Sequence, residues 1–239
     1  MALPVMLANF SMAADTSLTG QANTAASSIY ATRFSGATWD NENWRLTTTN
    51  LDQGHYQSRM SLANGYIGIN VATLGPFFEY DVPVDGDDIN GWPLFDRRQT
   101  FATVGGFWDS QSKLNGTNFP WLDQYGWDTA ISGVPHWSGI VVDLGADAVL
   151  SASTPANQIS NFVSSIDMKH GVMDWAYTWT PTEHGIFDIT YQMFLHKVNV
   201  NQAFVSMNIT PHADTNATVV NVLDGDCATR TTFVDKGVD

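Results

Sequence analysis

Two stretches of alternating residues constrain this chain more than any other feature of its sequence. Residues 172–180 read VMDWAYTWT and residues 187–195 read FDITYQMFL. Alternation of apolar and polar residues over segments of this length is typical of β-strands that bury one face. The residues expected to face the core are Met173, Trp175, Tyr177, Trp179, Phe187, Ile189, Tyr191, Met193 and Leu195.

Turn signals separate the strand-like segments at a regular spacing, at residues 183–185, 199–201 and 224–226. Helix signals are scarce. Thr154 and Pro155 could begin one short helical turn, because threonine can cap a helix and proline suits its first position. The sequence therefore predicts an all-β fold, a large antiparallel β-sandwich.

Residues 85–137 do not follow the alternating pattern, and we expect a long irregular excursion from the sandwich there. This stretch is rich in Trp, Phe, Gly, Asn and Asp. Aromatic rings among polar side chains can stack on sugar rings, but the same rings can fill a core or contact another domain. Both interpretations stay open, with packing favoured. The tryptophans concerned are Trp92, Trp108, Trp121, Trp127 and Trp137.

The charge balance excludes several classes of partner. Lys and Arg number 10 against 24 Asp and Glu, which gives a formal net charge of −14. A chain this acidic, without a basic cluster, is not expected to bind nucleic acid or anionic membranes. No segment reaches the roughly 18 apolar residues that a membrane-spanning helix needs.

The low share of charged residues, 14%, and the abundance of Asn, Thr, Ser, Gly and Asp are typical of a secreted protein. Cys227 is the only cysteine, so no intrachain disulfide can form. Asn208 lies in the strand-like segment QAFVSMNIT, on the face opposite the apolar residues, so a glycan there would point to solvent. Residues 1–36 are predicted to be a weak signal peptide or linker. N-glycosylation sequons occur at Asn9, Asn115, Asn208 and Asn216.

Residues 61–70, SLANGYIGIN, carry the strongest hairpin signal, because Asn64 and Gly65 stand between two alternating segments and both tolerate positive φ. The sequence of this segment resembles the one that opens the N-terminal domain of family 65 glycoside hydrolases. The residues that match are Ser61, Leu62, Asn64, Gly65, Tyr66 and Gly68.

Two further stretches support the resemblance. Residues 166–173, IDMKHGVM, are similar to a strand, turn and strand of that family through Asp167 and Gly171, although Ile166 and the Lys169-His170 pair depart from the usual wording. Residues 92–109, WPLFDRRQTFATVGGFWD, resemble the acid trehalase branch of the family. The matches together span residues 37–210.

The resemblance implies a galactose-mutarotase-like supersandwich over residues 37–239, truncated at its C-terminus. It also implies a partner, an (α/α)6 catalytic barrel of the same polypeptide that is absent from this chain. The parent protein would be a secreted, cell-wall or vacuolar acid trehalase that hydrolyses α,α-trehalose to glucose with inversion. The catalytic acid of the family lies in the barrel, so no catalytic residue is carried onto this chain.

The chemistry visible in the residues agrees with that expectation. Inverting hydrolysis needs a carboxylic acid and a carboxylate base on either side of the bond, and the three glutamates, Glu42, Glu79 and Glu183, are dispersed in the sequence. Glu79 has aromatic neighbours in the sequence FFEYD, and a surface carboxylate at a strand end is the favoured interpretation. No motif for a metal or cofactor is found.

Two alternatives stay open. The chain could be a stand-alone carbohydrate-binding sandwich that uses the Trp-rich excursion, or it could be the same domain of a disaccharide phosphorylase. If a barrel is the partner, we expect an exposed apolar patch where it docks.

Overall fold

The computed structural model describes residues 35–51, 53, 60–79, 100–112, 127–145 and 148–228, and these contain β-strands and one 3-10 helix. The prediction of an all-β fold is confirmed. The strands are β1 (Ala37–Asp40), β2 (Arg45–Thr48), β3 (Ser61–Ala63), β4 (Ile67–Asn70), β5 (Ala102–Ser112), β6 (Trp127–Val134), β7 (His136–Asp143), β8 (Val149–Leu150), β9 (Ile159–Asp167), β10 (Val172–Trp179), β11 (Phe187–Leu195), β12 (Ala203–Pro211) and β13 (Thr218–Asp224).

A six-stranded antiparallel sheet in the order β1-β2-β9-β10-β11-β12 forms one layer. Its centre is the pair β10–β11, in which Trp175 lies opposite Tyr191. The nine core residues expected on these two strands are all buried, with relative exposures of 0% to 5%. The alternation in the sequence therefore gave both the strands and the face that each one buries.

Two smaller sheets cover the buried face of the six-stranded sheet. One has the order β3-β4-β5-β6 and the other β13-β7-β8. Leu62 and Ile69 from the first and Val142 and Leu150 from the second join the same core cluster as the residues of β10 and β11. Burial of these apolar side chains between the layers holds the sandwich together.

The expectation of an irregular excursion over all of 85–137 is wrong for residues 102–112, 127–134 and 136–137, which form β5, β6 and the start of β7. The β5–β6 register shifts between Thr103 and Trp108. Gly106 has a φ of 82° at this irregularity. The bulge breaks the alternation of side chains, so the sequence pattern did not reveal the strand.

The short helical turn exists as the 3-10 helix Ala156–Gln158, but Thr154 does not cap it. The Thr154 hydroxyl accepts a hydrogen bond from the Ser151 N–H at 2.9 Å and donates one to the Val149 carbonyl at 3.1 Å. It therefore closes the preceding turn instead of the helix, a correction to the expected role.

Antiparallel pairing sets which turns share an end of the sandwich. Arg45 at the start of β2 lies opposite Asp167 at the end of β9. The turns at residues 41–44, 168–171 and 196–202 therefore lie at one end of the six-stranded sheet, and the turn at residues 180–186 lies at the other.

Candidate functional site

The hairpin predicted from Asn64 and Gly65 is confirmed: β3 and β4 pair with Ala63 opposite Gly68. Only Gly65 of the two turn residues has a positive φ, of 90°. Asn64 acts through its side chain, since its Oδ1 accepts hydrogen bonds from the N–H groups of Tyr66 at 3.0 Å and Ile67 at 2.8 Å. The asparagine therefore shapes the turn by mimicking a backbone acceptor.

The amide nitrogen of Asn64 makes a second set of contacts, to the other layer of the sandwich. Nδ2 donates hydrogen bonds to the carbonyl oxygens of His196 and Val200, each at 2.9 Å. Both acceptors belong to the turn between β11 and β12. One side chain thus fixes the hairpin of the small sheet against a turn of the large sheet.

The other residues of the hairpin segment have packing roles. Leu62 is buried in the core, while Ser61 is exposed. A Cβ added at Gly68 would come within 3.0 Å of the Thr103 hydroxyl, so glycine allows the close approach of β4 and β5.

Asp167 closes the turn between β9 and β10. Its carboxylate accepts hydrogen bonds from the backbone N–H of His170 and from the His170 ring Nδ1, both at 2.8 Å. Burial acts to raise the pKa of Asp167, but the hydrogen bonds from His170 and the charge of Arg45, at 3.8 Å, outweigh it and the pKa lies below its ordinary value. Gly171 completes the turn with a φ of 73°.

The tryptophans proposed for sugar contact are only partly described. Trp92 and Trp121, and the sequon at Asn115, lie outside the described residues. Trp108 on β5 is 56% exposed, and the backbone of Trp127 pairs with Ser112 at the start of β6. Trp137 packs against the core, in agreement with the packing interpretation for that residue.

Two of the three glutamates lie far apart. Glu42 lies in the turn at residues 41–44 and Glu183 in the turn at residues 180–186, at opposite ends of the six-stranded sheet. Glu79 is only 8% exposed, so the favoured interpretation as a surface carboxylate is wrong. The Glu79 carbonyl accepts a hydrogen bond from the Thr100 N–H, and the Glu79 N–H donates one to the Thr100 hydroxyl, each at 2.9 Å. These bonds hold residue 79 against the segment that leads into β5.

A buried histidine that the sequence did not single out borders a partly open cavity. His136, 1% exposed, contacts the Asn70 carbonyl through Nε2 at 3.1 Å and the Ser138 hydroxyl through Nδ1 at 3.3 Å. Because a carbonyl only accepts, Nε2 carries the hydrogen. Burial lowers the pKa of His136 against the opposing effects of the Asn70 hydrogen bond and the Asp224 charge, which favours the neutral ring.

The cavity beside His136 has a volume of about 150 Å³ and includes one acidic residue, Asp224, in its lining. The described residues that line this cavity therefore lack the pair of carboxyl groups that glycoside hydrolysis needs. Among the described residues no cluster of three or more His, Cys, Asp or Glu could hold a metal ion. The described part of the chain also contains no helix with the length and hydropathy of a membrane span.

Comparison with known proteins connects this architecture to a family. The family described as "Glycosyl hydrolase family 65, N-terminal domain" matches residues 46–239. The chain belongs to this family. The resemblance read from the hairpin and from the β9–β10 turn is therefore confirmed.

Named relatives of the family 65 chain are fungal acid trehalases. The chain is 61% identical to the "Cell wall acid trehalase" of Arthroderma benhamiae over 88% of its length and 20% of the relative. It is 57% identical to the "Acid trehalase" of Emericella nidulans over 90% of its length and again 20% of the relative. The chain thus spans about a fifth of the length of these relatives.

A solved structure has the same fold. The "Putative kojibiose phosphorylase from human microbiome" matches 77% of the chain with a TM-score of 0.51 and 14% identity, and the match covers 22% of that protein. At this identity the likeness concerns the fold alone, and it agrees with a family 65 sandwich.

Proposed function

We propose that residues 37–239 form the N-terminal domain of a secreted or cell-wall acid trehalase, with residues 1–36 as a signal or linker segment. The observation that carries the proposal is identity of 57–61% to acid trehalases over almost the whole chain. The relatives' names include cell wall, periplasmic and secreted forms, which supports localisation outside the cytoplasm.

In this proposal the domain supports catalysis without performing it. The glutamates at the two ends of the large sheet are too far apart to act on one bond, and the cavity beside His136 has one acidic residue in its lining. Cleavage of α,α-trehalose to glucose would be carried out by an (α/α)6 barrel elsewhere in the parent protein, and the sandwich would hold that barrel in place.

Glucose release from trehalose tests the proposal. We expect the purified 239-residue chain to release none and the full parent protein to release glucose without added phosphate. Glucose release by the short chain would contradict the supporting role. Formation of glucose 1-phosphate only when phosphate is present would favour a phosphorylase instead.

A second candidate function is carbohydrate binding by the domain itself, and the exposure of Trp108 favours it. A ring that is 56% exposed on a strand is available for stacking on a sugar. Titration calorimetry with trehalose and with glucans would detect such binding. Binding that is lost in Trp108→Ala but kept in Trp44→Ala, whose ring is equally exposed at 56%, would support a stacking role.

A further inference from the structure

Four turns meet at one end of the sandwich, and we refer to them as the turn rim. They comprise residues 41–44, 64–66, 168–171 and 196–202. Three connect strands of the six-stranded sheet, and the fourth is the β3–β4 hairpin of a smaller sheet. Two of the three stretches that resemble family 65, around Asn64 and around Asp167, each contain a turn of this rim.

Direct contacts join the turns into one continuous surface. The Met168 N–H donates a hydrogen bond to the Trp44 carbonyl at 3.0 Å, which connects the first turn to the third. The Lys197 ammonium reaches the Lys169 carbonyl at 3.4 Å, which connects the third to the fourth. Asn64 closes the series through its bonds to the fourth turn. The rim is therefore a built structure and not a set of independent loops.

The rim exposes five large apolar side chains. At the opposite end, the described turn at residues 180–186 exposes one large apolar side chain, Ile186 at 41%. Clustered apolar exposure of this kind is typical of a surface that another structure covers. The exposed rim residues are Trp44 (56%), Tyr66 (41%), Met168 (52%), Val198 (83%) and Val200 (37%).

Within the described residues the lysines and arginines lie at the rim, alongside Glu42 in its first turn and Asp167 at its edge. Of the ten Lys and Arg residues, the described ranges contain Arg45, Lys169 and Lys197, and all three lie at or beside the rim. Arg45 is paired with Asp167 and Asp174 at 3.8 Å and 3.5 Å. Neither lysine forms an ion pair with a described residue. A partner surface with carboxylates facing these lysines would complement the rim.

We propose that the turn rim is the surface on which the remainder of the same polypeptide docks, an inference that rests on the proposed function. The occupant follows from length, since the matched relatives are about five times as long as this chain. The surface that it presents would combine apolar side chains with acidic ones. The sequons at Asn208 and Asn216 lie toward the other end, beyond the middle of β12, where glycans would not obstruct docking.

A second exposed apolar strip provides the competing location. Val219, Val220 and Leu223 on β13 are 52%, 41% and 70% exposed. They belong to the three-stranded sheet and to none of the four turns. A test must therefore distinguish the rim from β13.

Site-specific photo-crosslinking in the full parent protein makes the distinction. p-Benzoylphenylalanine replaces Val198 on the rim, Leu223 on β13, or Ile186 at the opposite end as a matched exposed control. We expect the probe at 198 to give crosslinked peptides that contain sequence beyond residue 239, several-fold more abundant than with the probes at 186 and 223. Crosslinks mainly from 223, crosslinks from 198 only to a second copy, or no crosslinks from 198 would each overturn the proposal.

Parallel assays separate this proposal from the proposed function. Trehalase activity of the parent protein without crosslinks from 198 would reject the docking surface and leave the function standing. Crosslinks from 198 in a parent protein that does not hydrolyse trehalose would reject the function and support the surface. A charge reversal, Lys169→Glu, provides a second measurement: we expect less crosslinking from 198, with unchanged thermal stability of the 239-residue chain because the Lys169 ammonium forms no hydrogen bond or ion pair with a described residue, while its backbone carbonyl still accepts from Lys197. Undiminished crosslinking in this variant would overturn the proposal that carboxylates of the docked segment face the lysines of the rim.

Discussion

The hydroxyl of Tyr191 donates a hydrogen bond to the carbonyl oxygen of Ile140 at 2.7 Å. The two residues belong to β11 of the six-stranded sheet and β7 of the three-stranded sheet, so the bond crosses the core between layers. Tyr177, on the neighbouring strand β10, is also buried, but its hydroxyl has no hydrogen-bond partner in the described part of the chain. Two similar tyrosines thus differ in one polar contact.

Replacement of each tyrosine by phenylalanine should separate the contribution of that contact. Tyr191→Phe leaves the Ile140 carbonyl without this donor, and we expect a loss of about 1–2 kcal/mol in the free energy of unfolding. Tyr177→Phe removes an unsatisfied buried hydroxyl, and its effect should lie within about 0.5 kcal/mol or be stabilising. Urea denaturation measures both variants. Equal losses in the two would show that ring packing, not the hydroxyl of Tyr191, is responsible.

Asn64→Asp should loosen the hairpin from the large sheet. The carboxylate keeps the acceptor that shapes the turn but loses the two donors, and it faces the carbonyl oxygens of His196 and Val200. We expect a loss of roughly 2 kcal/mol in unfolding free energy at neutral pH. Asn201→Asp adds the same charge at an exposed position of the neighbouring turn. Chemical denaturation should show a clearly larger loss of unfolding free energy in Asn64→Asp than in Asn201→Asp. A similar loss in both variants would show that the added charge, and not the lost hydrogen bonds, is responsible.

His136 should make the fold less stable in acid. Burial lowers the pKa of the folded-state ring from its ordinary value of 6.5, so below that pH the unfolded chain takes up a proton that the folded chain does not. Stability due to the neutral ring is present above that value and declines as the pH falls toward the folded-state pKa. In His136→Gln the stability should change less between about pH 7 and about pH 5. Denaturation midpoints across this range measure the slope, and an unchanged slope in the variant would contradict the assignment.

Glycosylation is expected at both described sequons when the protein is secreted from a eukaryotic host. Asn208 and Asn216 are exposed, as are the residues around Asn216. Treatment with peptide-N-glycosidase F and mass spectrometry should report deamidation at both positions. Thr210→Ala should abolish the modification at Asn208 and leave Asn216 modified. Unmodified Asn208 in the secreted protein would show that the strand is inaccessible to the transferase.

The sequence predicted the strands with one buried face because their alternation is a local property, as in β10 and β11. β5 was missed since the bulge before Trp108 breaks that alternation. Asn64 was recognised as a turn residue, but its bonds to a segment 132 residues later depend on how the layers pack. For the same reason the cavity at His136 was not foreseen, because its lining comes from distant segments such as Phe77 and Asp224.

Among the described strands β12 lies at an edge of the six-stranded sheet, and this position has a consequence for solubility. An edge strand offers unpaired backbone groups to which a strand from another molecule can add. Asn208 projects from this strand, so an attached oligosaccharide would sterically hinder such intermolecular pairing. Enzymatically deglycosylated protein should then aggregate faster at high concentration than the native glycoprotein, a difference that light scattering can follow.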